Sequence, residues 1–383
     1  MPWKETQKMD QRKEFVLKAI NSSNFRELCR EYGISAKTGY KWRERFIEQG
    51  MAGVTERSRR PLSHAGQLSE GVVCEIVRLK QAHPRWGPRK IQAVYARKHP
   101  GAIPSESSFK RVLERAGMTE PRRLKQLERS GRISCGFQAE QPNDIWTVDF
   151  KGWWRSAQGL RVEPLTVRDQ YSRMILDMRV LSDARTESVR HCFERLFERY
   201  GMPRAIRSDN GAPFAAANAL LGLTRLSVWW LALGIDLDRN RPGCPQDNGG
   251  HERMHRDIWS ELEVHRAEGQ AAFDVWREEF NTERPHEALG MQVPAEVYRR
   301  SARNYEGTPE DLDYGWLPTR RVKKRQGTIR HRSEHIFIST ALAGWSVGLS
   351  QRPDGLLEVW FSKLLLGHLD PQRSSFTALT SGQ

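Results

Sequence analysis

"DIWTVDFKGWW", residues 144–154, is where the chain changes texture. Apolar and polar residues alternate here, with β-branched and aromatic side chains, which is the period-two pattern of a half-buried strand. "VEPLTVRD" (162–169) and "RMILDMRVL" (173–181) repeat the pattern across the turn-like "DQYS". A helix then follows, "RTESVRHCFERLFERYG" (185–201), with Val189, Phe193, Leu196 and Phe197 on one face and a Gly-Met-Pro stop. Beyond it come a short strand "RAIRS", helical stretches through 214–233, a strand "GIDLDRN" and a long helix over about 248–266. The order βββ-α-β-α-β-α predicts an α/β core over 141–300: a mixed five-stranded sheet covered by helices, because the last two strands must return through crossovers.

Upstream the chain is helical and basic. "FRELCREYGISAKTGYKWRERFIEQG" (25–50) breaks at Gly33-Ile34-Ser35 between two helical patterns, which reads as a helix-turn-helix or an ordinary helical hairpin. Its second helix offers Lys37, Thr38, Lys41, Arg43 and Arg45 as candidate DNA contacts. With residues 1–55 as this first domain, a Gly/Ser/Pro/Arg linker (56–67) leads to three further helical stretches over 68–120, the last with Ser105 as a possible N-cap. That second helical DNA-binding unit offers Arg89 and Lys90 in "HPRWGPRKI". A basic connector (121–140) carries Arg122 and Arg123, placed to follow a phosphate backbone. Downstream, an irregular segment (301–325) precedes closely spaced strand-like runs over 326–383, "TIRHR", "HIFIS", "WSVGLSQ" and "LLEVWF", which predict a small β-barrel.

Charge follows the same division. Of the net +15, residues 1–140 carry +14 and residues 141–300 carry −2, so a polyanion-binding module is joined to a near-neutral domain. The 5 cysteines, Cys29, Cys74, Cys135, Cys192 and Cys244, show no zinc-ligand spacing and read as free, mostly packing thiols. No apolar run spans a bilayer and the first residues are too polar for a secretory signal, so no membrane association and a cytoplasmic location are expected.

Three acids stand out by position. Asp149 lies at an alternating position in the first strand, and Asp209, in "IRSDNGAPF" (206–214), follows the fourth strand. Local chemistry makes Asp209 a turn residue first, because Asp-Asn-Gly is a common turn sequence. Glu252 falls in the first turn of the long helix, where the helix dipole favours a carboxylate and Asp247 or Asn248 can cap the end. Arg253, His255 and Arg256 lie beside it as candidate phosphate contacts, while Met254, Ile258 and Leu262 form the stripe expected to be buried.

Taken in this order, "IWTVDFKG", "IRSDNGAPF", "CPQDNGGHERMHR" and "FNTERPHEALGMQVPAEVY" (280–298) resemble bacterial insertion-sequence transposases that share the ribonuclease-H-like catalytic core of retroviral integrases. The resemblance is firm over about 140–300 and looser over the first third of the chain. Two departures accompany it. Between Asp209 and Glu252 lie 42 residues, several more than is common in the family, an excess assigned to "LGLTRLSVWWLALG" (221–234), with Asp247 and Asp257 as the nearest alternative acids. The zinc-ligand pattern of retroviral integrases is also lacking near the start. The resemblance implies Asp149, Asp209 and Glu252 as catalytic metal ligands, two Mg²⁺ (or Mn²⁺) ions, and double-stranded DNA as substrate. It further implies cleavage at transposon ends, 3′-hydroxyl strand transfer into target DNA, and a homo-oligomer on the DNA. Within it, Arg284 and His286 are expected to pack beneath the site. A catalytically silent DNA-binding regulator and a ribonuclease-H-type nuclease are the competing functions.

Overall fold

The computed structural model describes residues 8–56, 67–119, 137–181, 183–241, 248–263 and 269–379, with two compact units meeting at Glu70 and Gly71. Arg122, Arg123, Cys135, Cys244 and Asp247 lie outside the described residues, as does most of the basic connector.

The first unit contains α1 (Lys8–Asn21), α2 (Phe25–Glu31) and α3 (Ala36–Gln49). Asn24 and Ser35 cap the second and third through side-chain bonds to the backbone N–H groups of Glu27 and Thr38. Gly33 turns the chain between them at φ +64°. A small core of Phe15, Val16, Ala19, Leu28, Cys29, Trp42 and Val54 holds the helices together. α1, which supplies three of those residues, was not anticipated.

The second unit begins with α4 (Glu70–Ala82), α5 (Pro88–Lys98) and α6 (Glu106–Arg115). Ser105 occupies the N-cap position of α6, and its hydroxyl bonds those of Ser107 and Ser108. The sheet follows: β1 (Ile145–Phe150), a minor hairpin of β2 (Trp154–Arg155) and β3 (Arg161–Val162), β4 (Pro164–Asp169) and β5 (Ile175–Val180). α7 (Thr186–Tyr200), β6 (Ala205–Ser208), α8 (Arg225–Ala232), β7 (Asp236–Arg239), α9 (Gly249–Ile258), α10 (Gln270–Thr282) and α11 (Pro294–Val297) complete it. The five strands run in the order β5-β4-β1-β6-β7, with β1 antiparallel to β4 and parallel to β6. This is the expected mixed sheet.

Period-two alternation sends Trp146, Val148, Leu165 and Val167 to one face, into a core with Phe193, Phe197 and Trp229. The opposite face carries Thr147, Asp149, Thr166 and Arg168, under α9. Further along that face, Met254, Ile258 and Leu262 pack with Phe273 and Phe280, so the predicted helical stripe is buried. The insertion at 221–234 forms α8, which is apolar on nearly every side: Leu226, Trp229 and Trp230 enter the sheet core, while Val228 and Ala232 enter a second core beyond it.

That second core belongs to the C-terminal strands, β8 (Thr319–Arg321), β9 (Thr328–His331), β10 (Glu334–Phe337), β11 (Ser346–Gln351), β12 (Leu357–Phe361), β13 (Leu364–Asp370) and β14 (Ser375–Ala378). The expected barrel does not close. The strands form an antiparallel sheet in the order β14-β13-β12-β11-β8 and a separate β9–β10 hairpin. The hairpin lies beside both edge strands without a continuous ladder, so burial of Val347, Val359 and Phe361 is achieved by packing two sheets. β8, ahead of residue 326, already belongs to this sheet, paired with β11.

Candidate active site

Asp149 sits half-buried near the end of β1, directly opposite Thr166 of β4. The Thr166 hydroxyl donates to the Asp149 carbonyl oxygen (2.9 Å) and lies 2.7 Å from His251 Nε2 and 3.0 Å from His255 Nε2. A hydroxyl has one proton, so with that proton on the carbonyl both imidazoles donate through Nε2–H. The Thr147 hydroxyl lies 2.8 Å from His251 Nδ1 and 3.3 Å from the Arg168 carbonyl, and the nearer nitrogen takes its one proton when His251 carries Nε2–H; the bare Nδ1 of His255 faces Asp149 Oδ2 at 3.8 Å. Burial, with Lys151 and Arg168 nearby, pushes His255 down to about 3. Burial and His255 itself keep His251 far below its ordinary value. Both rings are neutral, so His255 and Asp149 do not form an ion pair. These two histidines and two threonines form a rigid polar clamp between α9 and the sheet.

Asp209 lies exposed just past β6 in a tight turn. Its Oδ1 accepts from Gly211 N–H (3.2 Å), and Asn210 Nδ2 donates to the Asn240 carbonyl (2.7 Å), tying the turn to the end of β7. A Cβ at Gly211 would lie 3.0 Å from Asp209 Oδ2, so glycine leaves that oxygen its space. Below the turn, the buried Arg207–Asp238 pair (2.6 Å) locks β6 to β7 and so fixes where Asp209 emerges. Glu252 is exposed in the first turn of α9, whose N-cap position is held by Asn248 without a side-chain cap bond.

The charges of Asp209 and Glu252 both reach Asp149. Asp149 is pushed up to about 7, first by burial, then by the negative charge of Asp209, with Glu252 adding to it and the Phe150 N–H opposing it. Among the described residues, no three Asp, Glu, His or Cys side chains form a ready-made metal cage. The convergence is therefore one of charge, in an all-oxygen donor set of the kind hard divalent cations favour.

The other predicted residues divide by exposure. Lys37 and Lys41 are exposed on α3; Thr38 shares in its N-cap; Arg43 lies over the Phe25 and Tyr40 rings, and Arg45 over Trp42. Arg253 and Arg256 face outward, whereas His255 is turned inward and uncharged. Arg89 is exposed between Glu106 and Glu287. Lys90 instead points into a cluster with Arg284, Asp257 and Glu261, and burial lowers its pKa. Arg284 is buried there, bonded to Asp257 (2.9 Å) and Glu261 (2.5 Å) and faced by Trp86, Trp276 and Phe280, so its segment packs beneath α9 as expected. His251, Thr147, Thr166 and Arg168 were not anticipated. Their one sequence signal was polarity at the inward positions of strands otherwise apolar.

Comparison with known proteins agrees with this architecture. Integrase core domain families match residues 139–245 and 233–294, a homeodomain-like domain matches 38–113, and a helix-turn-helix domain matches 11–61. These matches support an insertion-sequence transposase with a retroviral-integrase-type core. It is 27% identical over 237 residues to the insertion element IS407 uncharacterized 31.7 kDa protein of Burkholderia multivorans, covering 60% of this chain and 80% of that protein. It is 25% identical over 251 residues to the insertion element IS476 uncharacterized 39.2 kDa protein of Xanthomonas euvesicatoria, covering 64% and 70%. Among solved structures, the HTLV-2 integrase catalytic core domain in complex with magnesium aligns at 14% identity and TM-score 0.34, over 42% of this chain and all of that one. A simian T-cell lymphotropic virus intasome in complex with PP2A regulatory subunit B56 gamma aligns at 13% identity and TM-score 0.35, over 76% and 95%.

Proposed function

We propose that the protein is an active DNA transposase that cleaves transposon ends and joins their 3′-hydroxyls to target DNA, with Asp149, Asp209 and Glu252 as its catalytic carboxylates. The observation that supports this reading is at Asp149: a half-buried carboxyl raised to about 7, first by burial and then by the negative charges of Asp209 and Glu252, is a group suited to a cation. Two Mg²⁺ or Mn²⁺ ions held by these residues would supply Lewis-acid activation of the attacking oxygen and stabilisation of the leaving one. Asp149 would be one of the residues holding the metal, its strand position fixed by the Thr166 bond to its own carbonyl. Asp209 provides an exposed ligand on a turn fixed by Asn210, and Glu252 arrives from α9, itself anchored through His251 and His255. Lys37, Thr38, Lys41, Arg43 and Arg45 of α3, with Arg89, would bring double-stranded DNA to the protein. Arg253 and Arg256 would meet its backbone beside Glu252, and Arg122 and Arg123 would follow it along the connector. Lys90 and His255 support the site from below rather than meet phosphate. Joining two ends to one target calls for more than one subunit on the DNA, in the bacterial cytoplasm.

The test is cleavage and joining of duplexes carrying the element's terminal repeats, with Mg²⁺, by wild type and by Asp149→Asn, Asp209→Asn and Glu252→Gln. Wild type should do both and each variant neither, while all bind the duplex. Undiminished activity in the variants would sink the assignment, and binding without cleavage by wild type would favour the silent regulator.

A further inference from the structure

We infer that Arg168, Arg173 and Arg253 form a phosphate-binding site at the start of α9, made to hold a phosphodiester of the DNA backbone next to Glu252. This rests on the DNA-processing reading above and adds the part of the site that grips the substrate rather than cuts it.

Arg168 is only 5% exposed, yet among the described residues its Nε has no hydrogen-bond partner and its guanidinium is in no ion pair. A buried charge without a partner is among the costliest features a fold can keep. The neighbours make matters worse: Arg173 and Arg253 each act on Arg168, and on each other, as like charges. Neither is in an ion pair among the described residues. Asp169 offsets part of this as an opposite charge, but its oxygens are occupied by Asn143 N–H (2.7 Å), Ser172 N–H (2.8 Å) and the Ser172 hydroxyl (2.5 Å).

The guanidinium is aimed at the first turn of α9. A Cβ at Gly250 would lie 2.5 Å from its Nη2 and 2.6 Å from its Nη1, so glycine is what lets the fork reach the helix end. The N-terminal backbone N–H groups of α9 and the positive end of its helix dipole lie there too. Of the acids at this spot, Glu252 is exposed and Asp169 is bonded elsewhere, so the buried guanidinium still lacks an anion of its own. The three arginines are graded from buried Arg168 through half-buried Arg173 to exposed Arg253, so an anion arriving from solvent can be drawn inward. Guanidinium forks match the paired oxygens of a phosphate. Arg253 follows Glu252 in sequence, which places the site along the path of any strand cut there.

The test uses the full-length chain and a fluorescent random-sequence duplex in EDTA, with anisotropy read across a salt series. Arg168→Met keeps the volume and removes the charge. It should melt no lower than wild type without DNA, bind the duplex several-fold more weakly, and show a log–log salt slope shallower by about one. Arg173→Gln and Arg253→Gln should flatten the slope in the same way. A lower melting temperature in Arg168→Met with an unchanged slope in all three variants would overturn the inference. If Arg168→Met fails to fold, unchanged slopes in the other two suffice to overturn it. Inorganic phosphate alone separates the sources: if it stabilises wild type but not Arg168→Met while the slopes stay unchanged, the ligand is free phosphate and the DNA assignment falls. Since no metal is present, these readouts are independent of cleavage. Flattened slopes with no cleavage by wild type would instead remove only the catalytic reading.

Discussion

At Asp149, one carboxyl reports on the whole candidate site. Its pKa of about 7 in the folded protein lies well above the unfolded carboxyl value of about 3.9, so between those limits the folded state binds the extra proton. Stability of the metal-free protein should therefore fall as pH rises from about 4 to about 7 and level off above. Asp149→Asn removes that slope: in EDTA it should melt above wild type at pH 8, with the gap closing toward pH 5. Melting curves in a pH series check this, and added Mg²⁺ should raise wild type at pH 8 while leaving Asp149→Asn unmoved. Sequence position alone left Asp149 and Asp209 ambiguous between solvent, turn and site, because a side chain's neighbours across strands are not written in its own segment.

α9 depends on what lies under it. Arg284, buried and bonded to both Asp257 and Glu261, ties the end of α9 and the turn after it to the 280–298 segment. Arg284→Ala would leave two carboxylates without their partner and should cost about 3–5 kcal/mol in denaturant unfolding. Arg284→Met, which keeps the aromatic packing, should cost less. The helix itself was legible from its Met254, Ile258 and Leu262 spacing, and so was the packing role of 280–298. That Lys90, from a distant helix, joins the same cluster was not legible, since the pairing spans most of the chain. α8 gives a similar lesson. The excess length between Asp209 and Glu252 is a helix buried on both sides, joining the sheet core to the C-terminal core.

Across the whole molecule the two units have separate cores, so calorimetry should resolve two transitions. Trp42 is 6% exposed at the centre of the first unit and has Arg12 over its ring at 4.4 Å. Trp42→Ala should cost about 3–5 kcal/mol, enough to abolish the transition of a unit this small while leaving the other in place. No described helix is long and apolar enough to cross a membrane.

Local pattern was sufficient for the mixed five-stranded sheet, the two-helix turn and the uneven charge, because each is carried by periodicity, turn chemistry or composition within one segment. The open C-terminal sheet, the neutral His251–Thr166–His255 clamp and the unpaired Arg168 arose only on packing. Closure of a sheet depends on how its edges meet, and the charge of a buried group on what desolvates it. Both are set by residues far away in the chain.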